Sequence, residues 1–397
     1  MTARDGDRMG LGRWLPLIGL TLSAFIFNTS EFMPIGLLTD IGATFGLNEA
    51  STGVMISVYA WGVMVLSLPL MIVGSRLEFR RLMLVVLAVF AAGQFLSAAA
   101  PSYAVLVLAR LVVASAHAIF WSIAAVMATR LAGARHAALG LSMVATGTSV
   151  AMIFGLPLGR AIGLIVGWRM TFMLVGAVSV GVVIYQALCL PPMPAGEPFR
   201  LGQLPQLVRN RRLVAIYAVT LLFATAYYTG YSYIEPFLAQ VGGIEAAAIT
   251  GALTVFGVAG LIGSALFTRF YDRHRFPFMA ASIAGVAASL ALLAPAAPVL
   301  ALVVAVCVLW GMCGTVFNIA FQAEVIRATD ADTSSVAMSI FSGIFNLGIG
   351  SGTALGGAVV TAWGIGHVGA VGAAIGAGSL ACCLIALIRP LAVAERR

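Results

Sequence analysis

Three side chains that can carry charge stand inside apolar stretches of the sequence: Glu31, Arg110 and His117. An ionised group in a hydrocarbon environment is costly, so such residues are expected to be paired, protonated or functional. Histidine changes its charge near neutral pH, because its unperturbed pKa is about 6.5. Arg110 and His117 are seven residues apart, which places them on one face of a helix. Together the three residues could bind and release a proton.

The predicted depths of these residues relate them to one another. Glu31 lies about 27 Å from the start of its apolar stretch, and Arg110 lies about 10 Å from the start of a stretch that runs in the opposite direction. Their comparable depth predicts either a structural ion pair or a coupling site. His117 lies near the midplane, as a proton carrier or as a neutral histidine in a packed interface. Trp121 continues the face of His117 and is a candidate for substrate contact.

A second group of residues could bind a small molecule that has both apolar faces and polar edges. Aromatic rings cover its C–H faces, and amides or carboxylates bind its hydroxyl groups. The segment TAYYTGYSYIEPF (225–237) carries Tyr228, Tyr231 and Glu235 at spacings that predict one helix face. Further candidates inside apolar stretches are Asn28, Tyr59, Asn318, Gln322 and Asn346. The alternatives are an interfacial tyrosine belt, amides that join helices, and a structural or gating role for Glu235.

The elements that must position these residues are membrane-spanning helices. Of the 397 residues, 61% are hydrophobic and 9% are charged, which leaves too little polar surface for a soluble protein of this length. Apolar stretches of about 20 residues, long enough to cross a bilayer, recur along the chain. We predict an all-α membrane protein with twelve transmembrane helices, at residues 14–37, 48–74, 82–99, 102–130, 136–164, 168–190, 213–238, 246–270, 277–296, 299–327, 333–362 and 366–389.

Arginine residues alternate between the predicted loops and thereby orient the spans. The loops of one side carry arginines within residues 4–13, 76–81, 130–135, 200–212, 269–275 and 389–397, together with Arg327. The opposite loops hold only Arg160 and Arg169, near helix ends. By the positive-inside rule, both termini are expected in the cytoplasm. The net charge of +8 therefore indicates membrane orientation and not nucleic-acid binding.

The two halves of the sequence are related by an offset of about 197 residues. Pairs at this offset are Pro101 and Pro298, Phe120 and Phe317, Arg130 and Arg327, Gly155 and Gly352, and Gly159 and Gly356. We therefore predict two six-helix bundles, at residues 1–190 and 213–397, joined by a cytoplasmic linker at residues 191–212. A parallel repeat of this kind predicts a binding cavity between the halves and alternating access.

Several motifs resemble known transporter families. The repeat with its central basic loop resembles the major facilitator superfamily, and GTSVAMIFGLPLGRAIG (147–163) resembles the antiporter motif of proton-coupled drug exporters. The loop GSRLEFRR (74–81) lacks the family's usual aspartate, whereas TRFYDRHR (268–275) retains an Asp-Arg pair. More specifically, the chain resembles the sugar efflux transporters of the SotB type in the segments EFMPIGLLTDI (31–41), SVYAWGVMVLSLPLM (57–71), AHAIFWSIAA (116–125), YSYIEPF (231–237) and FSGIFNLGIGSG (341–352).

The resemblance implies proton-driven export of small sugars such as arabinose, lactose and thiogalactosides. It implies a multi-pass carrier of the bacterial inner membrane, and we expect a monomer whose partners are sugar, protons and lipid. The alternative is export of drugs, nucleosides or amino acids by the same proton antiport. A passive channel or receptor is a further alternative, and accumulation of substrate against a gradient would distinguish a transporter from it.

Other classes of function lack their sequence motifs. There is no GxxxxGKS or GxxxxGKT nucleotide-binding loop, and neither HExxH nor GxSxG occurs. The five cysteines lie in or beside apolar stretches, which is typical of small buried side chains and not of a disulfide or metal framework. We therefore predict no enzyme activity, no metal site and no cofactor other than a proton gradient as the energy source.

Overall fold

The computed structural model describes residues 10–74, 77–133, 136–195, 209–271, 273–329 and 331–395. Within these residues the chain is helical and contains no strand. Twelve helical stretches of this part are long and apolar enough to cross a membrane. The predicted all-α membrane fold with twelve spans is therefore confirmed.

The helices of the first sequence half are α1 (Leu11–Gly36), α2 (Leu38–Phe45), α3 (Glu49–Gly74), α4 (Phe79–Ala98), α5 (Tyr103–Ala132), α6 (Ala137–Val166) and α7 (Trp168–Cys189). Those of the second half are α8 (Arg211–Tyr231), α9 (Ile234–Gln240), α10 (Ala246–Phe270), α11 (Arg275–Ala296), α12 (Leu300–Arg327), α13 (Ala331–Trp363), α14 (Val368–Cys382) and α15 (Arg389–Glu395). A 3₁₀ turn at Ile365–His367 precedes α14, and a π-helical segment at Cys383–Ile388 joins α14 to α15.

The first helix of each half is followed, after a break at an equivalent place, by a short helix. Leu37, between α1 and α2, has φ −115° and ψ 11°, and Tyr233, between α8 and α9, has φ −116° and ψ 13°. At each break the backbone N–H bonds to the carbonyl three residues earlier, as in a 3₁₀ turn. The bonds run from Leu37 N to the Pro34 carbonyl (3.2 Å) and from Tyr233 N to the Gly230 carbonyl (3.1 Å). The helix predicted at 14–37 ends at the first break, and the short helix α2 that follows it was not predicted. The prediction of one helix at 213–238 was wrong, because the second break interrupts it.

Close helix crossings also recur in both halves. A Cβ atom on Gly155 of α6 would lie 3.1 Å from Thr29 Cα of α1. A Cβ atom on Gly352 of α13 would clash in the same way with the backbone of Thr225 of α8. At Gly352 a side chain would force the two helices apart, and at Gly155 the neighbouring backbone would have to move by a few tenths of an ångström, so both glycines permit a close helix approach.

Stacked phenylalanine pairs complete the repeat. Phe27 of α1 stacks on Phe120 of α5 with ring centroids 4.3 Å apart, and Phe223 of α8 stacks on Phe317 of α12 at 3.4 Å. Phe27 and its equivalent Phe223 are 196 residues apart, and Phe120 and its equivalent Phe317 are 197 residues apart. These separations match the offset of the predicted internal repeat. The breaks, the crossings and the stacks together confirm that repeat.

By their internal contacts the helices fall into two compact units, whose limits differ from those of the sequence halves. Unit 1 takes its residues from 1–32, 66–155 and 169–199, and unit 2 from 33–65, 156–168 and 200–397. The division into two six-helix bundles stays a prediction. Most of the predicted linker, residues 196–208, lies outside the described residues. The same is true of Arg4, Arg8, Arg76, Arg135, Arg200, Asp272, Arg396 and Arg397.

Candidate functional site

Glu31 and His117 meet inside unit 1. Glu31 lies one turn after Phe27 on α1, and His117 lies three residues before Phe120 on α5, so both sit beside the phenylalanine stack. The Nε2 atom of His117 lies 3.9 Å from Oε2 of Glu31, and the two side chains are 3% and 12% exposed. The imidazole also packs edge-on to Phe27, at a centroid distance of 5.9 Å. The structure thus brings together two of the three predicted proton-coupling residues.

Arg110 is held beside this pair through the backbone of α1. Its Nη2 atom donates to the Ser30 carbonyl (2.9 Å), and its Nη1 atom donates to the Ser30 hydroxyl (3.0 Å). The guanidinium group is buried and lies 5.6 Å from the ring centre of Phe172 on α7. Arg110 therefore positions the residue that precedes Glu31, while the Glu31 carboxylate is in contact with His117.

Gln94 of α4 belongs to the same cluster, although sequence reasoning missed it. Its Nε2 atom donates to the Ser30 hydroxyl at 2.5 Å, and its side chain is fully buried. The available signal was an amide inside the apolar stretch FAAGQFL (90–96). Ser30 thus receives hydrogen bonds from both Gln94 and Arg110.

The other candidates of the first half occupy separate places. Trp121 is half-buried, with its ring 6.1 Å from that of His117, so the predicted shared face is confirmed. Asn28 donates to the Ala24 carbonyl (3.0 Å) and to the Thr148 hydroxyl (3.3 Å), and thereby joins α1 to α6. Tyr59 is buried on α3.

Unit 2 contains an aromatic cluster around α8. Tyr228 and Tyr231 lie 5.8 Å apart edge to face, and Tyr231 stacks on Phe256 of α10 at 5.2 Å. Trp310 of α12 meets Tyr227 and Tyr231 at 5.5 and 6.0 Å. The structure therefore unites the two predicted tyrosines and adds three rings that sequence reasoning did not select. Trp310 and Phe256 lie in apolar spans, and apart from their aromatic rings nothing in the sequence marks them as binding residues.

The predicted amide candidates of unit 2 lie on α12 and α13. Gln322 donates to Asn318 one turn earlier on α12, and both side chains are half-buried. Asn346 of α13 donates to the Ser342 carbonyl (3.0 Å). Its Oδ1 atom is buried and has no hydrogen-bond partner among the described residues. Asn346 therefore keeps a polar acceptor for a further donor.

Glu235 is not part of the tyrosine face. The prediction that it shares one helix face with Tyr228 and Tyr231 was wrong, because α8 ends at Tyr231 and Glu235 lies on α9. Its carboxylate pairs with Arg160 of α6 at 2.7 Å and accepts a hydrogen bond from Thr39 of α2 at 2.7 Å. Arg160 had been noted only as a residue near a helix end.

A third charged cluster surrounds Glu324 at the end of α12. The carboxylate is fully buried, pairs with Arg275 (2.5 Å) and Arg212 (2.8 Å), and accepts a hydrogen bond from the Tyr271 hydroxyl at 2.7 Å. Burial and the hydrogen bond to this carboxylate raise the pKa of Tyr271, so the phenol stays protonated and keeps donating. Sequence reasoning missed Glu324, because an acid near the end of a span is expected to reach water.

Twelve spans, two related halves and buried charged and aromatic clusters define a helical membrane transporter. A family profile described as Major Facilitator Superfamily matches residues 20–332 and, in a second match, residues 217–397. The chain belongs to the Major Facilitator Superfamily, a family of membrane transporters. The predicted resemblance is thereby confirmed at the level of the superfamily.

Solved structures share the fold at low sequence identity. A bacterial homologue of the human lysosomal transporter Spinster, in an inward-facing and occupied conformation, matches with a TM-score of 0.72 and 18% identity over 96% of both chains. The nucleoside transporter NupG, in a mutant form, matches with a TM-score of 0.76 and 17% identity over 94% of this chain and 99% of its own. The human organic anion transporter MFSD10 matches at 0.69 and 11%, over 94% of this chain and all of its own (100%).

Proposed function

We propose that the protein is a proton-coupled secondary transporter that exports small sugars by alternating access. The observation that carries the proposal is the contact between the half-buried Glu31 and the buried His117. Ionisable side chains inside a membrane span are expensive, and they commonly mark proton or substrate pathways. A carboxylate and an imidazole 3.9 Å apart can exchange one proton through a single water or after a small approach to hydrogen-bond distance.

The surroundings of the pair support its role in coupling. A proton that binds Glu31 or His117 changes the charge beside Arg110, whose hydrogen bonds to Ser30 fix the backbone of α1. In a low-dielectric interior such a change of charge is felt strongly by its neighbours. Proton binding at this site would therefore alter the helix contacts of α1, which is the link that antiport requires.

The aromatic cluster of unit 2 supports a substrate with apolar faces and polar edges. Tyr228 and Tyr231 supply rings, and Asn318, Gln322 and Asn346 supply amide groups on α12 and α13. This combination fits a sugar, whose C–H faces pack on rings and whose hydroxyl groups satisfy amides. Asn28, Tyr59 and Trp121 are the candidates that the first half contributes to substrate binding.

The proposal includes orientation and location. The alternation of arginines predicts cytoplasmic termini. The resemblance to sugar efflux transporters implies a bacterial inner membrane, with protons entering as sugar leaves. The protein is proposed to act as a monomer, with the proton gradient as its energy source and no bound cofactor. Export of drugs, nucleosides or amino acids by the same antiport is the alternative for the substrate.

Reconstituted protein tests both parts of the proposal. Purified protein in liposomes should accumulate labelled arabinose or a thiogalactoside when a pH gradient is imposed, and a protonophore should abolish the accumulation. Uphill transport that persists after full collapse of the gradient would contradict proton coupling. Gradient-driven transport of a nucleoside, amino acid or drug without transport of any sugar would support the alternative substrate class.

A further inference from the structure

A buried ion pair in unit 2 joins helices from both sequence halves. Glu235 of α9 is 3% exposed, and its Oε1 atom lies 2.7 Å from Nη1 of Arg160 on α6, which is 4% exposed. The other carboxylate oxygen accepts a hydrogen bond from the Thr39 hydroxyl of α2 at 2.7 Å. Arg160 also donates to the carbonyl of Gly36, at the end of α1, at 2.9 Å. Two helices of the first half thus contact one carboxylate of the second, and a third is joined to them through Arg160.

The position of the pair follows from the internal repeat. Thr39 and Glu235 are 196 residues apart, and each is the second residue of the short helix that follows a break. Equivalent residues of the two halves therefore touch each other. Arg160 has Gly357 as its counterpart at an offset of 197. A Cβ atom on Gly357 would lie 2.8 Å from the Tyr233 hydroxyl, so an aromatic side chain occupies the place where a second arginine would be needed.

The physics of a buried ion pair makes this contact conditional on exclusion of water. Two charges taken out of water are stable only while each compensates the other, and removal of one partner leaves a lone buried charge. Separation of the helices would allow water to solvate both groups. The closed arrangement is therefore stable only while both partners of the ion pair are present, because a lone charge would favour separation. A contact of this kind can hold two parts of a transporter together and can also be released.

We propose that Arg160, Glu235 and Thr39 form a latch that keeps the α2 and α9 end of unit 2 closed and opens during transport. By the predicted orientation this end faces the outside. The role in transport rests on the proposed function, because only a transporter needs the end to open. The latch itself is a property of the protein without substrate and can be tested in that state.

Ser57 offers a reporter for opening. It lies on α3, is 2% exposed, and its hydroxyl has no hydrogen-bond partner in the described part of the chain. Its carbonyl lies 3.0 Å from the point where a Cβ atom on Gly350 of α13 would be, so it sits at a close contact within unit 2. A Ser57→Cys change, in a background with the five native cysteines replaced by alanine, is nearly isosteric. Its reaction with a membrane-impermeant maleimide measures access of water.

Right-side-out membrane vesicles should show little labelling of Ser57→Cys while the latch is intact. Arg160→Met and Glu235→Gln should each raise the labelling rate by about tenfold or more, because each leaves one uncompensated group in the closed state. The double variant should rise by less than the product of the two single effects, since it buries no lone charge. The same labelling is measured in parallel in inverted vesicles. If the labelling rate rises only there, the latch lies on the opposite side of the membrane.

Two controls separate a latch from a general loss of packing. Glu49→Gln removes the charge from an exposed contact with Gln240 (2.5 Å) and should change labelling by less than about twofold. A cysteine at Ser97, fully buried in α4 of unit 1, should stay unreactive in every variant. The latch is overturned if the single variants lower the thermal unfolding temperature without raising Ser57→Cys labelling. It is also overturned if both reporters become reactive together. These results do not depend on which substrate is transported. A negative result would therefore contradict the latch and leave the proposed function untouched.

Discussion

The crossing of α1 with α5 and that of α8 with α12 share a backbone design and differ in chemistry. Each is built on a stacked phenylalanine pair at equivalent positions. At repeat offsets of 196 and 197 residues, Glu31 corresponds to Tyr227 and His117 to Gly314. In the first crossing a carboxylate meets an imidazole. In the second, a Cβ atom on Gly314 would lie 2.9 Å from the Tyr227 ring, so the aromatic ring occupies the place of the imidazole.

The contrast extends to the neighbours of these residues. Arg110 corresponds to Cys307, and Ser30 to Ala226, so the polar cluster of the first crossing has apolar counterparts in the second. Buried charges need compensating partners, and a membrane interior makes each of them costly. The comparison teaches that the repeat preserved helix geometry at these two crossings, while the first crossing holds titratable groups and the second holds aromatic surface. The four predictions below test this division.

The largest effect is expected from Glu31→Gln. The change removes the titratable carboxylate and keeps a hydrogen-bonding group of similar size, so accumulation of sugar driven by a pH gradient should be lost completely. Downhill exchange should continue. Tyr227→Phe, at the equivalent place in the second half, should retain accumulation. Counterflow and gradient-driven uptake in liposomes measure both, and full accumulation by Glu31→Gln would refute the division.

A second large effect is expected from His117→Gln. If sugar and proton exclude each other, sugar affinity should fall as pH is lowered from 8.5 to 5.5, because proton binding and sugar binding are linked with opposite sign. Loss of the imidazole should flatten this dependence. The exposed histidine at position 367 provides the matched control, and His367→Gln should leave the pH profile unchanged. An unaltered profile in His117→Gln would make this histidine structural.

A moderate effect is expected from Tyr228→Ala. Loss of one ring of the aromatic cluster should weaken sugar affinity by about tenfold, of the order of the 0.5–1.5 kcal/mol of an aromatic contact. The accumulation ratio at saturating sugar should be maintained, because the coupling residues are intact. Tyr185→Ala, on the half-buried tyrosine of α7, is the matched control. If accumulation is lost and affinity is retained, the aromatic cluster belongs to coupling and the proposed division is wrong.

The smallest effect is expected from Gly314→Ala. The added methyl group would press on Tyr227, and overpacking of this kind typically costs about 1–3 kcal/mol. The free energy of unfolding in detergent should fall by that amount, with a modest loss of sugar affinity. Gly378→Ala on α14, where a Cβ atom meets nothing within 4 Å, should leave stability unchanged or slightly higher. Equal stability of the two variants would show that ring and helix are not in tight contact.

Much of the fold could be predicted from the sequence, because apolar length determines the number of spans and their approximate limits. The short helix α2 and the break at Tyr233 could not be predicted, since the turns at Leu37 and Tyr233 depend on hydrogen bonds to Pro34 and Gly230 that an apolar pattern does not contain. Single-span depth grouped Glu31 with Arg110 and placed His117 nearer the midplane, whereas in the structure the Glu31 carboxylate contacts His117 and Arg110 donates to Ser30. Depth could not pair Arg160 with Glu235, because residues 75 positions apart on different helices meet only through the packing of the whole chain.

The central claim is that the Glu31 and His117 contact carries the proton that sugar displaces. The most direct measurement is proton release from purified protein in weakly buffered detergent solution when a saturating thiogalactoside is added. The wild-type protein and Tyr227→Phe should acidify the solution on binding, whereas Glu31→Gln should bind the sugar without proton release. Undiminished release from Glu31→Gln would place the proton elsewhere and contradict the account.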